Sequence, residues 1–171
     1  MTDIYAFLQG HAIPYSRHDH PPVYTVAEAQ RLVPPLPAAR VKNLFLRDAR
    51  GRRHFLVVMA ADKRIDMKRL PAALGADRLS FASADHLKDH LGVDPGAVTI
   101  LALVNDPQRS VRVVLDRRLW QEVDAIQCHP LVNTATLVIP RPAIDRFLQV
   151  VGHKVVIVDV PEQRPPAIAS G

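Results

Sequence analysis

Two apolar, strand-forming segments joined by a short polar turn constrain the fold of this chain more than any other feature. Residues 41–47 and 54–60 are rich in valine, leucine and phenylalanine, whereas residues 48–52 contain aspartate, arginine and glycine. Branched and aromatic residues favour strands, and short polar segments with glycine favour turns. The pattern therefore predicts two strands with a turn at residues 48–52.

The rest of the chain alternates helical and extended patterns. Helices are predicted where apolar residues recur at helical spacing between capping residues, at residues 3–8, 25–32, 66–74, 84–91 and 141–151. Strands are predicted at residues 98–104, 111–115, 125–128, 134–139 and 155–160. Helices interleaved with hairpins indicate a mixed α/β fold rather than a purely parallel sheet.

The size and composition fit one domain. A chain of 171 residues suits a single core, expected over residues 1–162, with a flexible tail at residues 163–171. No run of about 18 apolar residues is present, which excludes a membrane-spanning helix. Cys128 is the single cysteine and the N-terminus lacks a secretory pattern, so we expect a cytoplasmic protein. The net charge of +5 mildly favours a polyanionic partner.

Two polar residues at the start of an apolar strand form the first candidate site. Alternation on a strand places Lys42 on the face of Leu44 and Leu46, and Asn43 on the opposite face. Two interpretations remain open for the lysine. Its stem covers apolar surface while its charge reaches solvent, or its charge lies at the mouth of a cleft and binds a phosphate or carboxylate.

The connection at residues 92–96 is the second candidate. Asp94-Pro95-Gly96 matches a type II turn, with proline at the second position and glycine at the third. Such a turn can direct backbone N–H groups at an anion or a developing oxyanion. A simple link between a helix and a strand is the alternative.

The segment that begins at His129 is the third candidate. Cys128 precedes it, but neighbouring strand residues point to opposite faces, which argues against a catalytic Cys–His pair. A hydrogen-bonded structural histidine is the alternative to a functional one. His18 and His20 would share a strand face, but two histidines do not make a zinc site, so we expect no metal.

Several segments together resemble one family over about residues 3–160. These segments are residues 20–25, 42–48, 62–70, 79–83, 91–99, 104–106, 129–136 and 152–153. Their order and spacing are similar to those of the YbaK/prolyl-tRNA-synthetase-associated editing domains, and most of all to the free-standing proteins that deacylate alanyl-tRNA(Pro). The resemblance implies a single compact domain with a central, largely antiparallel sheet flanked by helices.

The resemblance also implies an activity. The chain would be an aminoacyl-tRNA deacylase that removes mischarged alanine from tRNA(Pro), with no metal or organic cofactor. Its expected partners are the acceptor end of tRNA(Pro) and, in addition, prolyl-tRNA synthetase, and a monomer is expected. By position, the implied catalytic residues are Lys42, Gly92, Gly96 and His129, and the implied substrate-binding residues are Val41, Asn43, Pro95, Asn133 and Thr134.

Three positions depart from the family's pattern and keep alternatives open. Ala38, Arg40 and Ile100 stand where relatives often carry glycine, histidine and proline. Because they lie near the lysine strand and the glycine loop, cysteine or serine remains an alternative to alanine as the amino acid removed. Two functions of other classes also compete: a non-catalytic module that binds tRNA or a synthetase, and a small-molecule hydrolase unrelated to RNA.

Overall fold

The computed structural model describes residues 2–164. The α-helices are α1 Ile4–Gly10, α2 Val26–Leu32, α3 Leu70–Leu74, α4 Ala84–Leu91, α5 Arg117–Glu122 and α6 Arg141–Val151. The strands are β1 Ser16–Asp19, β2 Val41–Asp48, β3 His54–Ala60, β4 Leu79–Phe81, β5 Val111–Asp116, β6 Ala125–Cys128, β7 Ala135–Pro140 and β8 Val155–Val158. Two 3₁₀ helices span Pro95–Ala97 and Ile100–Asn105.

The strands form two sheets. The larger sheet has the order β4-β2-β3-β5-β8, in which β4, β2 and β3 pair antiparallel while β3, β5 and β8 pair parallel. The smaller sheet, β1-β7-β6, is antiparallel throughout. The predicted mixed α/β class is confirmed, and the structure adds that the strands divide between two sheets.

The predicted hairpin lies at the centre of the larger sheet. Strand β3 is buried along nearly its whole length, because apolar clusters cover both of its faces. Phe45 and Leu56 face the larger cluster, which also contains apolar residues of β6 and β7, whereas Leu46 and Phe55 face the second cluster. Burial on both faces explains why this segment is continuously apolar rather than alternating.

The strand predicted at residues 98–104 is wrong. Ile100, Leu101, Ala102 and Leu103 are all buried in a 3₁₀ helix whose first turn is capped by the Thr99 hydroxyl, which accepts a hydrogen bond from the Leu101 N–H at 3.3 Å. A short apolar run buried on all sides has no periodicity that separates a strand from a helix. The type II turn at residues 94–96 is also wrong, because Gly96 lacks the positive φ that such a turn requires.

Other differences concern short elements. Helix α3 begins at Leu70 rather than at residue 66, because the Asp66 carboxylate accepts hydrogen bonds from the Lys68 and Arg69 N–H groups and holds a turn there. Strands β1 and β4 and helix α5 were not predicted as elements. Each is six residues or shorter, which is too short for a clear periodic pattern.

The predicted tail at residues 163–171 lies mostly outside the described residues. Within the described part, Gln163 donates its backbone N–H to the Arg64 carbonyl at 2.8 Å and its side-chain amide to the Ile65 carbonyl at 3.1 Å. Among residues 2–164, no helix is long and apolar enough to cross a membrane.

Candidate functional site

A cleft opens between helix α2, the start of strand β2 and the loops at residues 95–98 and 129–133. Its outer part is lined by Val23, Tyr24, Thr25, Val26, Ala29, Val41, Lys42, Asn43, Pro95, Gly96, Val98 and His129. Its inner part shares several of these residues and continues to Val33, Arg40, Ala61, Gln127, Cys128 and Thr136. The inner part therefore combines aliphatic residues with the polar side chains of Arg40, Asn43, Gln127, His129 and Thr136.

Lys42 lies at the outer part of the cleft. The predicted alternation is confirmed, because Leu44 and Leu46 on the same face belong to the second apolar cluster. Among residues 2–164, no hydrogen bond or ion pair holds its ammonium group. Partial burial lowers the pKa of Lys42, and the charge of Arg64 lowers it further, while Asp62 and Glu162 oppose the shift. An ammonium group held without a partner beside a cleft can bind an anion.

Asn43 contributes a buried polar atom that lacks a partner. Its side chain lines both parts of the cleft, and its Oδ1 atom is buried without a hydrogen bond among the described residues. A buried acceptor costs free energy in a folded protein unless water or another molecule donates a hydrogen bond to it. The Asn43 amide is thus available to a molecule that enters the cleft.

His129 is held in one tautomer. Its Nδ1 atom lies 3.3 Å from the Ala135 carbonyl oxygen, and since a carbonyl only accepts, Nδ1 carries the proton and the neutral ring keeps Nε2 as an acceptor. Burial lowers the pKa of His129, as does the nearby His20, although the bond to Ala135 opposes the shift. The side chain lines both parts of the cleft, so a neutral imidazole faces the cleft.

The neighbouring thiol is inert. Burial raises the pKa of Cys128 to about 12, so the sulfur stays protonated near neutral pH and is a poor nucleophile. This agrees with the expectation from sequence that Cys128 and His129 do not form a catalytic pair.

His20 supports the wall beside His129 and does not pair with His18. Its Nδ1 donates to the Pro21 carbonyl at 2.8 Å, and its Nε2 lies 2.8 Å from the Thr136 hydroxyl. His18 instead contacts the Ser16 hydroxyl at 3.1 Å. Within residues 2–164, no group of three histidine, cysteine or acidic side chains is arranged to hold a metal ion.

The floor of the outer cleft is built around Gly96. A β-carbon at this position would lie 2.9 Å from Cδ1 of Tyr24 and 3.2 Å from Nδ2 of Asn133, so a larger residue would push both away. Asn133 in turn donates to the Val23 carbonyl at 3.0 Å and accepts from the Val23 N–H at 3.2 Å. Asn133 therefore acts behind the cleft surface, where it fixes the segment that carries Tyr24.

The cleft brings together most of the residues predicted from sequence, but not all. Val41, Lys42, Asn43, Pro95, Gly96 and His129 line it. Gly92 does not: it ends α4 with φ of +66° and packs against the Asn105 side chain, so its residue type has a structural reason. Thr134 is exposed, and its carbonyl accepts from the His20 N–H at 3.0 Å.

Several lining residues were not predicted from sequence. Tyr24, Val26, Ala29 and Thr136 contribute to the cleft. Tyr24 and Thr136 belong to segments that carried the family resemblance, and that position was the available signal. Val26 and Ala29 lie on α2, in which no residue is fully buried. The apolar pattern of this helix therefore does not indicate which of its residues line a cleft.

Comparisons with known proteins identify the family of the chain. The model of the aminoacyl-tRNA editing domain matches residues 20–147. The prolyl-tRNA editing protein ProX of Acetoanaerobium sticklandii is 38% identical over 141 residues, which cover 82% of this chain and 85% of that protein. The prolyl-tRNA synthetase associated domain-containing protein 1 of Danio rerio is 41% identical over 140 residues, 81% of this chain and 76% of that protein.

The fold is shared with solved structures. A candidate trans-editing enzyme for prolyl tRNA synthetase superposes with a TM-score of 0.66 at 19% identity, and the match covers 94% of this chain and 96% of that one. At this identity the likeness concerns the fold alone. With the sequence matches, the comparisons confirm the predicted family and the predicted class of enzyme, an aminoacyl-tRNA deacylase.

Proposed function

The chain belongs to the aminoacyl-tRNA editing domain family, and we propose that it acts in trans to remove mischarged alanine from tRNA(Pro). The names of the two relatives, a prolyl-tRNA editing protein and a prolyl-tRNA synthetase associated protein, support tRNA(Pro) as the carrier. The acceptor end of that tRNA is then the part that enters the cleft, and prolyl-tRNA synthetase is the further partner.

One observation carries the proposal. The unpartnered Oδ1 of Asn43 and the neutral ring of His129 face one small cleft, and Lys42 lines its outer part. An aminoacyl ester at an RNA terminus offers the matching groups in this order: a phosphate, a ribose, and an amino acid with a cationic amine. Asn43 Oδ1 would accept from that amine or from a ribose hydroxyl.

The aliphatic residues in the inner part of the cleft support alanine as the amino acid. Val26, Ala29, Val33 and Ala61 line it, and a methyl side chain gains by burial among them. Selection between alanine and the larger proline is a matter of size, since a rigid wall rejects a substrate that exceeds it. Serine and cysteine are close to alanine in size, but a serine hydroxyl gains less from burial than a methyl group because it loses its hydrogen bonds to water.

The proposed reaction is hydrolysis by water without a protein nucleophile. Water adds to the ester carbonyl, the bond from the carbonyl carbon to the ribose oxygen breaks, and the amino acid leaves as a carboxylate. One of the two protons of the water goes to the ribose oxygen and the other is released to solvent. Lys42 binds the terminal phosphate or ribose and sets the position of the ester. His129 Nε2 accepts a hydrogen bond from the attacking water or from the ribose 2′-hydroxyl, and backbone N–H groups near Gly96 stabilise the oxyanion.

The test is a set of deacylation assays with one tRNA and several amino acids. We expect the purified protein to release alanine from alanyl-tRNA(Pro) while prolyl-tRNA(Pro) stays intact, with seryl- and cysteinyl-tRNA(Pro) hydrolysed more slowly. Alanyl-tRNA(Ala), which carries the same amino acid on a different tRNA, is the control for recognition of the tRNA. Failure to release alanine, or equal loss of alanine and proline, would refute the proposed function.

A further inference from the structure

Tyr24 is an exposed aromatic residue at the outer part of the cleft. Its surface is 69% exposed, more than that of the other large apolar residues exposed within residues 2–164. It nevertheless lines the cleft together with Lys42 and Gly96. An aromatic ring left in water forgoes the favourable burial that such a large apolar surface provides. A ring in this position is available to a bound molecule.

The segment that carries the ring is fixed on both sides. Val23 exchanges two hydrogen bonds with Asn133, and the Thr25 hydroxyl accepts from the Glu28 N–H at 3.1 Å and caps α2. One edge of the ring lies against Gly96, where a β-carbon would come within 2.9 Å of Cδ1. Because Gly96 has no side chain, the Tyr24 ring can pack directly against the loop.

We propose that the Tyr24 ring stacks on the base of the 3′-terminal nucleotide of the RNA. This inference rests on the proposed function, to which it adds the group that recognises the terminal base. Tyr24 and Lys42 both line the outer cleft, and an aromatic residue together with a cationic one suits a nucleotide because the ring binds the base while the cation binds the phosphate. Asn43 and His129 line both parts of the cleft, so the ester would lie beside them, inward of the ribose.

The position of the ring argues against contact with the amino acid. Tyr24 lines the outer part of the cleft and is absent from the inner part, where the aliphatic residues Val33 and Ala61 lie. The amino acid side chain would occupy that inner part, so the ring meets the portion of the substrate that extends towards solvent. That portion is the terminal base.

A binding titration isolates the stacking contact. Deacylated tRNA(Pro) is prepared with either adenosine or an abasic residue at its 3′ end, and its dissociation constant is measured with the wild-type protein, Tyr24→Ser and Tyr24→Phe. Stacking on an aromatic residue accounts for roughly 5- to 150-fold in binding per base. We expect a loss in this range when the base is removed from the wild-type complex, and a much smaller loss when it is removed from the Tyr24→Ser complex.

The variants supply the controls. Tyr24→Phe keeps the ring and should bind like the wild type, and Phe81→Ser removes an aromatic residue that is 60% exposed on β4 and outside the cleft lining. Phe81→Ser should leave the affinity unchanged for tRNA(Pro) with a 3′ adenosine and for tRNA(Pro) with a 3′ abasic residue. Equal losses on base removal in the wild type and in Tyr24→Ser would overturn the inference, as would a Tyr24→Phe protein as weak as Tyr24→Ser.

The kinetics separate this inference from the proposed function. If alanyl-tRNA(Pro) is the substrate, Tyr24→Ser should raise KM by the factor by which it weakens the binding of deacylated tRNA(Pro), with kcat nearly unchanged. The reason is that a base contact made equally in ground and transition states affects binding alone. A protein that shows base-dependent binding through Tyr24 but releases no alanine refutes the function only. A protein that releases alanine with no base dependence refutes the stacking only.

Discussion

The Nδ1 atom of His129 lies 3.3 Å from the carbonyl oxygen of Ala135, the first residue of strand β7. This contact fixes the orientation of a ring that burial keeps neutral, and it leaves Nε2 facing the cleft. The contact therefore ties the imidazole of the cleft to strand β7 of the smaller sheet.

The first prediction concerns the pH dependence of deacylation. Because burial lowers the pKa of His129 below its ordinary value of 6.5, the ring stays neutral as pH falls to 6.5 and becomes charged only below it. We expect kcat/KM to decline on the acidic side with a midpoint below 6.5, and His129→Ala to lose activity at every pH. A midpoint at or above 6.5 in the wild type would contradict this role.

Replacement of Lys42 separates binding of the substrate from packing. Lys42→Ala should abolish deacylation and leave the thermal unfolding temperature nearly unchanged, because no hydrogen bond or ion pair within residues 2–164 depends on this ammonium group. Lys68→Ala, which removes an exposed lysine outside the cleft lining, is the matched control and should keep full activity. A stable Lys42→Ala protein with wild-type activity would leave the lysine as a residue that only covers apolar surface.

The two glycines of the 92–96 loop should respond in opposite ways to alanine. Gly92→Ala should lower the free energy of unfolding by about 1 kcal/mol or more, because φ is +66° there and the new carbon would lie 3.0 Å from the Asn105 side chain. Gly96→Ala should instead lower kcat/KM with a smaller effect on stability, because its backbone is unstrained but Tyr24 must move. Chemical denaturation and steady-state assays on both proteins check this; a Gly92→Ala protein that is fully stable but inactive would restore the catalytic role predicted from sequence.

The ion pair of Lys63 and Asp116 is expected to matter for folding. Lys63 Nζ lies 2.9 Å from Asp116 Oδ2, with the two side chains 12% and 2% exposed, and Asp116 Oδ1 accepts from the Val160 N–H at 3.1 Å. Lys63→Met leaves the carboxylate buried without its partner, which should cost about 3 to 5 kcal/mol. Urea denaturation measures the loss, and Lys63→Met combined with Asp116→Leu should recover part of it; a single variant as stable as the wild type would show that the pair contributes little.

A cluster of histidines should make the fold sensitive to acid. His54 is 6% exposed, its ring centroid lies 4.0 Å from that of His90, and its Nε2 has no hydrogen-bond partner within residues 2–164. Burial and the charges of His90 and His86 lower the pKa of His54 to about 4. Because this value lies below the unfolded value of about 6.5, the neutral ring stabilises the fold above pH 6.5, and that stability is lost as pH falls from 6.5 towards 4.

The measurement is the free energy of unfolding across that pH range. Each unit of pKa shift corresponds to about 1.4 kcal/mol, so the loss should amount to no more than about 3 kcal/mol. His54→Phe keeps an aromatic ring beside Phe45, with which His54 now stacks at 5.5 Å, and should lose less stability between pH 6.5 and 4 than the wild type. Equal acid sensitivity in the two proteins would assign the effect to other groups.

The sequence by itself determined the parts of this protein that depend on neighbours along the chain. The hairpin of β2 and β3, the Thr25 cap of α2 and the glycine that ends α6 follow from local preferences, because capping and strand alternation act over a few residues. The family followed from the order of short segments, and with it came the lysine and the histidine of the cleft. Alternation along β2 also correctly predicted that Lys42 and Asn43 lie on opposite faces of the strand.

Only the tertiary structure decided how distant segments meet. The bond from Asn133 to Val23 joins residues 110 positions apart, and the contact of His20 with Thr136 spans 116 positions; neither leaves a local pattern. The same holds for residues 98–104, where burial on all sides selected a 3₁₀ helix over the predicted strand. It also holds for the two glycines, since Gly92 caps a helix while Gly96 supports the Tyr24 ring at the cleft. In each case, contacts between distant segments, rather than residue type, determine the local structure or the role of the residue.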